Sequence, residues 1–235
     1  MKRKLLIIKQ TLNRIGYKNR IFSLAEETGF CRLSNMNSVL FVDIGLNQKM
    51  VHNKKASLFG FEFFYKKEKI ISNLGEINNS KYKNMKNSLS STAAHSSVNI
   101  DDRNNIDLSG RRITRISNIQ FGKTKDGNLL DVTHSGYETI FGVHHKRQIY
   151  LSNKKNEIRG RDEILNIGNI GSIPKNAYIR FHLYPGIELI KTRSGSILLN
   201  HQKGYVWKMS SNNKNISIEN SVMSVSYTHL RAHET

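Results

Sequence analysis

The sequence has little cysteine and proline, and it lacks a long apolar run. Its 235 residues include one cysteine, Cys31, and two prolines. A single cysteine excludes an internal disulfide framework and a cysteine-based zinc site. We interpret Cys31, which lies in an apolar strand-like segment, as a buried core thiol rather than a nucleophile. No segment approaches the roughly 18 consecutive apolar residues of a membrane-spanning helix, so we predict no membrane span.

Several motifs with a known chemical role are also missing. The sequence contains no glycine-rich phosphate loop, no G-x-S-x-G nucleophile turn and no H-E-x-x-H metal helix. Nucleotide-dependent, serine-hydrolase and zincin chemistry of these types therefore has no support. The histidines and their surroundings are the remaining candidates for a functional site.

Acidic residues are scarce relative to basic ones. The chain has 37 Lys and Arg against 18 Asp and Glu, which gives a formal net charge of +19. Such an excess permits a polyanionic partner, namely nucleic acid, anionic lipid or an acidic polysaccharide. The positive charge is spread along the chain without a dense tract, and the joint abundance of Lys, Asn and Ile is typical of an AT-rich genome. Because no feature other than this charge supports nucleic-acid binding, we predict no specific nucleic-acid partner.

What the sequence does contain is about a dozen short strand-like segments separated by turn signals. Phe59, Phe61 and Phe63 alternate with less apolar positions and so define one core face. Asp126-Gly127 is a strong hairpin signal. The spacing predicts an all-β fold, a large antiparallel β-sandwich with a short N-terminal helix at Lys4 to Ile15.

The two ends of the chain differ from this central region. We predict that residues 1–24 are a helical linker at the end of a preceding helical domain, and that residues 25–224 form the β-sandwich domain. Residues 225–235, VSYTHLRAHET, depart from the Lys, Asn and Ile bias. They resemble a translated sequencing adapter, which predicts a non-native tail and a missing natural C-terminus.

His95 is the leading candidate for chemistry. It lies in a turn among small residues, Ala93, Ala94, Ser96 and Ser97, which leave room for a ligand to approach the imidazole. The alternative is that His95 only satisfies the hydrogen bonds of its own turn.

Two further strand segments place a histidine and an arginine on one face. His145 and Arg147 share a face, as do Arg180 and His182. Either pair can bind an anionic group, although for His145 and Arg147 we favour a solvated face. Tyr137 can stack on a sugar ring, or it can pack in the interior.

An ordered set of segments resembles the heparinase II/III-like family. STAAHSSVNIDDRN, HSGYETIFGVHHKRQIYLS, EIRGRDEI and YIRFHLYPGI occur in the family's order, after ETGFCRLSNMNSVLFVDIG and KASLFGFEF. The similarity covers roughly Glu27 to Val222 and is to the C-terminal β-domain, as found in alphaproteobacteria. It implies a β-sandwich that follows an upstream helical toroid. Several members are polysaccharide lyases that cleave uronic-acid polymers by β-elimination.

The resemblance also implies which residues form the site. The family's histidine in an H-N-T/S-type turn corresponds to His95, a predicted catalytic residue. Its H-A-D motif falls on Lys55-Ala56-Ser57, and its D-x-G motif falls on Asn73-Leu74-Gly75. In lyase relatives these positions bind zinc, but a charged Lys and an amide oxygen are poor zinc ligands, so we expect no metal and no cofactor. The predicted substrate-binding residues are Lys55, Asn73, His145, Arg147, Arg180 and His182.

The resemblance therefore predicts the β-sandwich portion of a lyase that acts on an acidic polysaccharide such as a glycosaminoglycan. The family's catalytic Tyr and Asn or His belong to the upstream toroid, so this portion is predicted to be inactive alone. The alternative is a non-catalytic glycan-binding or scaffold module with a degenerate metal site. The family also suggests the periplasm or cell envelope as the compartment.

Overall fold

The computed structural model of the chain describes residues 23–25, 28–45, 55–75, 83–168, 171–212, 215–225 and 229–232. The helix predicted at Lys4 to Ile15 lies outside these described residues. Antiparallel strands dominate the described part, which confirms the predicted all-β class.

Short helical segments occur at two places in the strand framework. They are α1 (Lys83–Ser90), a 3-10 turn at Thr92–Ala94, and α2 (Glu138–Phe141). The strands of the described part are β1 (Leu24–Ala25), β2 (Phe30–Ser34), β3 (Ser38–Asp43), β4 (Phe61–Tyr65), β5 (Glu68–Ser72), β6 (Val98–Ile100), β7 (Ile116–Lys123), β8 (Gly127–Tyr137), β9 (Val143–Ser152), β10 (Ile158–Asn166), β11 (Ala177–Ile179), β12 (His182–Leu183), β13 (Ile187–Lys191), β14 (Ile197–His201), β15 (Val206–Met209), β16 (Val222–Val225) and β17 (His229–Ala232).

Two sheets form the sandwich. One has the strand order β1-β2-β3-β4-β5-β12, and the other has the order β10-β9-β8-β7, with antiparallel pairing between neighbours. Smaller sheets are formed by β11 with β6, by β13-β14-β15, and by β16 with β17. The hairpin predicted at Asp126-Gly127 joins β7 to β8.

The core lies between the two large sheets. The β3 side chains are buried at alternate positions, and so are Phe61, Phe63 and Tyr65 of β4, which confirms the predicted apolar face. Leu130 and Ile149 of the opposite sheet belong to the same cluster. Full burial of each such side chain stabilises the fold by about 1.5–3 kcal/mol. β13-β14-β15 extends this cluster.

Two segments have structures that no sequence pattern indicates. Lys83–Ser90, which has no clear apolar period, forms a helix before the His95 turn. Its one buried apolar residue is Leu89, so no apolar stripe marks the helix in the sequence. The strand segment that carries Arg180 and His182, Tyr178 to Leu183, is interrupted after Ile179, because β11 pairs with β6 whereas β12 pairs with β5.

The end of the chain also contains a strand pair. Val222–Val225 pairs antiparallel with His229–Ala232, so β17 lies within the segment that resembles a sequencing adapter. This pairing does not test the origin of residues 225–235, and their assignment as a non-native tail stays a prediction.

The turn between β4 and β5 offers a stabilising substitution. Lys66 and Lys67 both have positive φ, 47° and 73°, a conformation that is strained for side chains with a Cβ. The Lys66 ammonium lies 5.0 Å from the centroid of the Tyr205 ring, so only Lys67 should be changed. We expect Lys67→Gly to raise the free energy of unfolding by about 0.5–1 kcal/mol in urea denaturation.

The matched control is Lys155→Gly. Lys155 is exposed and is not among the residues of positive φ. Glycine at this position adds freedom to the unfolded chain without relieving strain, so this variant should not gain stability. Equal effects of the two substitutions would contradict the strained-turn explanation.

Candidate functional site

His95 ends a short turn that is fastened to its surroundings by hydrogen bonds. The turn follows α1 directly, and its first residue, Thr92, donates its main-chain N–H to Asn104 Oδ1 at 2.9 Å. Thr92 Oγ1 in return accepts the N–H of Asn105 at 2.9 Å. The small residues Ala94, Ser96 and Ser97 are fully buried. Their small side chains therefore allow the turn to pack closely, and they do not leave open space on every side of it.

The imidazole of His95 has a defined protonation state. Its Nδ1 lies 2.8 Å from the carbonyl oxygen of Ser91, which can only accept, so Nδ1 carries the proton. Burial lowers the pKa of His95 to about 4, and the nearby charge of Lys55 acts in the same direction. At neutral pH the ring is thus uncharged. Among the described residues Nε2 has no hydrogen-bond donor, and its lone pair can accept a proton or a hydrogen bond.

The structure brings Lys55 and Asn73 to His95. Asn73 Oδ1 accepts the main-chain N–H of Ser96 at 2.9 Å. Gly60 lies between these groups: a Cβ on it would be 2.8 Å from the Ser57 carbonyl oxygen, 3.3 Å from His95 Cβ and 3.5 Å from Asn73 Oδ1. Glycine at position 60 therefore permits a close approach of two backbone segments.

His182 and Arg180 lie on the other side of the turn. His182 Nε2–H donates to the Ala93 carbonyl at 2.8 Å, and its main-chain N–H donates to Ser96 Oγ at 3.0 Å. Burial, with a further contribution from the Arg180 cation, lowers the pKa of His182. The Arg180 guanidinium donates to Asn99 Oδ1 at 3.3 Å and lies 5.1 Å from the Tyr178 ring centroid. His182 thus contacts the His95 turn directly, whereas the Arg180 guanidinium lies at Asn99 and Tyr178 and 4.0 Å from Asp102 Oδ1.

The other predicted pair belongs to the interior. The side chains of His145 and Arg147 are 0% and 2% exposed, so the prediction of a solvated or substrate-binding face is wrong for both. They do share a face, as alternation requires, but it is the inner face of the sheet. The charge of Arg147 is compensated by Asp162 of β10, which pairs with Arg147 in the strand register.

A chain of hydrogen bonds fixes the tautomers in this buried cluster. The Gly136 N–H donates to His134 Nδ1 at 3.0 Å, so His134 carries its proton on Nε2. That proton is donated to His145 Nδ1 at 3.1 Å, and His145 Nε2–H donates to Asp162 Oδ1 at 2.8 Å. Both imidazoles are therefore neutral. Burial lowers the pKa of each, and for His134 the pKa lies well below its ordinary value.

Asp162 remains ionised at the end of this chain. Burial acts to raise its pKa, but the Arg147 guanidinium and the hydrogen bonds from His145 and Arg147 lower the pKa well below its usual range. Arg147 binds the carboxylate with two nitrogens, Nε at 2.7 Å and Nη2 at 3.0 Å. The pair is a fork-to-fork ion pair of the strong type.

Tyr137 does not present its ring to solvent. It is fully buried at the end of β8, and its hydroxyl donates to the Val98 carbonyl at 2.8 Å. Stacking on a sugar is therefore excluded in this conformation, and the packing alternative is correct. Burial raises the pKa of the Tyr137 hydroxyl.

Sequence reasoning missed three residues of this region. Asp162 and Gly60 lie in segments that resemble the family but were given no role, and only strand pairing or a close backbone approach reveals their contacts. Asp43 was missed as well, and it accepts a short hydrogen bond from Ser57 Oγ and one from the Gly45 N–H at 2.9 Å. Burial raises the pKa of Asp43. No periodic signal marks these positions, because each depends on residues distant in sequence.

The residues at His95 do not fit zinc. Lys55 brings a positive charge, and Asn73 Oδ1 is already occupied by the Ser96 N–H. Within the residues that the structure describes, no group of three or more His, Cys, Asp and Glu side chains is arranged to hold a metal ion. We therefore derive no chemical step through a metal.

In the same described part, no helix is long and apolar enough to cross a membrane.

Comparisons with known proteins agree with this fold. A family model described as "Heparinase II/III-like, C-terminal" matches residues 18–235. The heparan sulfate lyase HepC from Pedobacter heparinus superposes with a TM-score of 0.69 at 16% identity, over 92% of this chain and 33% of that one. The heparinase III gene product BT4657 gives 0.68 at 15% identity, over 92% and 33%.

A further solved structure, of a heparinase III, gives a TM-score of 0.59 at 12% identity, over 83% of this chain and 30% of that one. At these identities the structures show a shared fold. The chain spans about a third of the length of these solved proteins. A search of curated proteins finds no match.

Proposed function

The chain belongs to the heparinase II/III-like family, whose C-terminal domain it matches, and we propose that it forms the β-sandwich part of a polysaccharide lyase. The substrate of the complete enzyme is an acidic polysaccharide that contains uronic acid. The observation that carries the proposal is the neutral imidazole of His95, with Lys55, Asn73 and His182 around it. The Lys55 cation can bind a carboxylate of the substrate, and the uncharged imidazole nitrogen can accept a proton.

The reaction is a β-elimination. A base removes the proton beside the uronate carboxylate, the bond to the glycosidic oxygen breaks, and a carbon–carbon double bond forms in the uronate ring. The leaving oxygen receives a proton. Because negative charge builds up on the carboxylate as the proton leaves, a fixed cation or donor there lowers the barrier.

Each residue around His95 has a role in this proposal. His95 Nε2 accepts a hydrogen bond or proton from the sugar, since Nδ1 is bound to the Ser91 carbonyl. Lys55 and Arg180 supply positive charge for the acidic groups. Asn73 keeps its Oδ1 on Ser96 and can donate its amide N–H groups. His182 is held by the Ala93 carbonyl and shapes the wall behind the turn.

The β-sandwich alone is not proposed to be active. The family's catalytic Tyr and Asn or His come from an upstream helical toroid, which is the proposed partner domain. The solved relatives are about three times as long as this chain. Heparan sulfate is the first probe to use, because HepC is described as a heparan sulfate lyase. By analogy with the family we place the enzyme in the periplasm or cell envelope.

A second function has its own support. Lys55 and a hydrogen-bonded Asn73 replace the ligands that lyase relatives use for zinc, so a non-catalytic module that only binds or organises glycan also fits the site. The two functions differ in the product. With the preceding domain attached, a lyase generates an unsaturated uronate, whereas a binding module retains the glycan intact.

Binding of heparan sulfate oligosaccharides to the purified chain, measured by calorimetric titration, tests the site. We expect salt-sensitive binding without an unsaturated product in the ultraviolet. Lys55→Met and Arg180→Met should each weaken binding by about tenfold, the effect of losing one charge-assisted hydrogen bond. The matched control is Lys154→Met, because Lys154 lies in the β9–β10 connection and its side chain is 64% exposed.

Three outcomes would contradict the proposal. Equal losses in all three variants would indicate non-specific charge attraction rather than a site. Equal affinity for duplex DNA would favour general polyanion binding, whose affinity falls steeply with salt. Formation of unsaturated uronate by the chain alone would show that the β-sandwich needs no partner domain.

A further inference from the structure

Arg147 connects the interior of one sheet to both backbone segments that border His95. Its Nη1 donates to the carbonyl oxygen of Phe59 at 2.6 Å and to that of Ser96 at 2.9 Å. Phe59 precedes Gly60, and Ser96 follows His95. One buried guanidinium nitrogen therefore joins the Gly60 segment to the His95 turn.

The joined segments do not pair through a ladder of strand hydrogen bonds at this point. They approach so closely that a Cβ on Gly60 would be 3.3 Å from His95 Cβ. Two carbonyl oxygens that point toward each other in such a space repel unless a donor lies between them. Arg147 is this donor, and its planar fork can bind two carbonyls and a carboxylate at once.

The backbone at Phe59 is strained, which is a second and independent observation. Phe59 has φ of 59°, a left-handed conformation that is a clear outlier for a bulky side chain. It persists because its neighbours leave no alternative: the ring lies 4.8 Å from the His134 ring and 5.7 Å from the His145 ring, between centroids. Its N–H donates to the Asp43 carbonyl at 2.7 Å. Strain of this kind is typical of sites where geometry is enforced.

The carboxylate of Asp162 fixes the orientation of the Arg147 guanidinium. Asp162 binds Nε and Nη2, and this leaves Nη1 for the two carbonyls. His145 occupies the same carboxylate oxygen as Arg147 Nε, and His134 secures His145. The guanidinium thus has one allowed position, and so do the carbonyls that it binds.

We propose that Arg147, oriented by Asp162, is a positioning residue that holds the His95 turn against the Gly60 segment and so sets the burial of the His95 imidazole. The proposal rests on the proposed function only in taking His95 as the residue that meets the glycan. Arg147 has no role in contact with substrate, because it is enclosed by the core.

The test uses the double variant Arg147→Met with Asp162→Asn. It removes both buried charges together, so no unpaired ion remains, and the asparagine amide that replaces the carboxylate still offers an oxygen to His145 Nε2–H. The readout is the His95 ring in NMR spectra. We expect the His95 pKa to rise from about 4 by at least about one unit, and exchange of the Nδ1 proton to accelerate at least about tenfold.

Asn128→Ala is the control for general destabilisation. Asn128 is buried near the start of β8, whereas His134 lies near its end, and the Asn128 amide donates to the Ser34 carbonyl at 3.1 Å. It should lower stability without changing the His95 pKa or proton exchange. The proposal is overturned if the double variant folds and its His95 ring behaves as in the original chain, or if Asn128→Ala changes the ring equally.

A second variant covers the case in which the double variant does not fold. Arg147→Lys keeps the ion pair with Asp162, but an ammonium cannot bind both carboxylate oxygens and both carbonyls in the same geometry. An unchanged His95 pKa in this variant would also overturn the proposal. Since the readout needs no glycan, a failure to bind heparan sulfate would contradict the proposed function and leave this result intact.

Discussion

Replacing Asp162 by Ala is expected to lower the free energy of unfolding by about 3–5 kcal/mol. The substitution leaves the Arg147 guanidinium buried without its carboxylate, and the side chain of Arg147 is only 2% exposed. It also removes the acceptor of His145 Nε2–H, and His145 is fully buried. Breaking a buried pair on one side has a larger effect than replacing both partners, because the remaining charge stays desolvated.

Urea denaturation of Asp162→Ala and of Glu163→Ala measures this difference. Glu163 is the next residue of β10, and its ion pair with Arg161 is 2.6 Å long, slightly shorter than the 2.7 Å of the Asp162 pair. The Arg161 side chain is 69% exposed, so loss of this pair should change stability by less than about 1 kcal/mol. Similar losses in the two variants would contradict the view that burial decides the effect.

This contrast shows what the sequence could predict. Alternation correctly placed His145 and Arg147 on one face of a strand, and it correctly placed Phe61 and Phe63 in the core. Alternation does not state which of two faces is the inner one when both carry polar residues. Arg147 was therefore assigned to the surface, where a charge is usually found.

The compensating residue could not be found from the sequence either. Asp162 lies 15 residues after Arg147, and only the register of β9 with β10 places them opposite each other. Gly60 was not recognised, and Phe59 was assigned only to the core face, because their further importance comes from contacts with His95 and Arg147 across the fold. By contrast, Lys55, Asn73 and His95 were grouped correctly in space, since an ordered family pattern carries long-range information that composition lacks.

Acid is expected to unfold the chain steeply between about pH 6.5 and pH 4. Burial lowers the pKa of His95, His134, His145 and His182 in the folded state, whereas in the unfolded chain each histidine titrates near 6.5. Below pH 6.5 the unfolded state therefore binds more protons than the folded state, and stability falls as the pH decreases. Each histidine adds about 1.4 kcal/mol per pH unit until its own folded pKa is reached, which for His95 is about 4.

Two carboxylates modify this dependence, and they act in opposite directions. Asp162 has a lowered pKa, so its stabilisation is present above its unfolded value of 3.8 and is lost below it. Asp43 has a raised pKa and acts in the opposite direction from around pH 4 upward. Asp162 therefore produces no slope near pH 6, and any contribution of Asp43 there opposes that of the histidines, so a net loss of stability as the pH falls reports the buried histidines.

The variant His134→Asn separates the histidine contribution from a general effect of acid. Asn can accept the Gly136 N–H through its oxygen and donate to His145 through its amide, so both hydrogen bonds of His134 have a replacement. Urea denaturation at about pH 7, 6 and 5 gives the free energy of unfolding at each pH. Its slope against pH should be smaller by about 1.4 kcal/mol per pH unit in the variant than in the original chain. An unchanged slope would mean that His134 is protonated in the folded chain. The chain of donors from Gly136 to Asp162 would then have to run differently, because a protonated His134 has no lone pair for the Gly136 N–H.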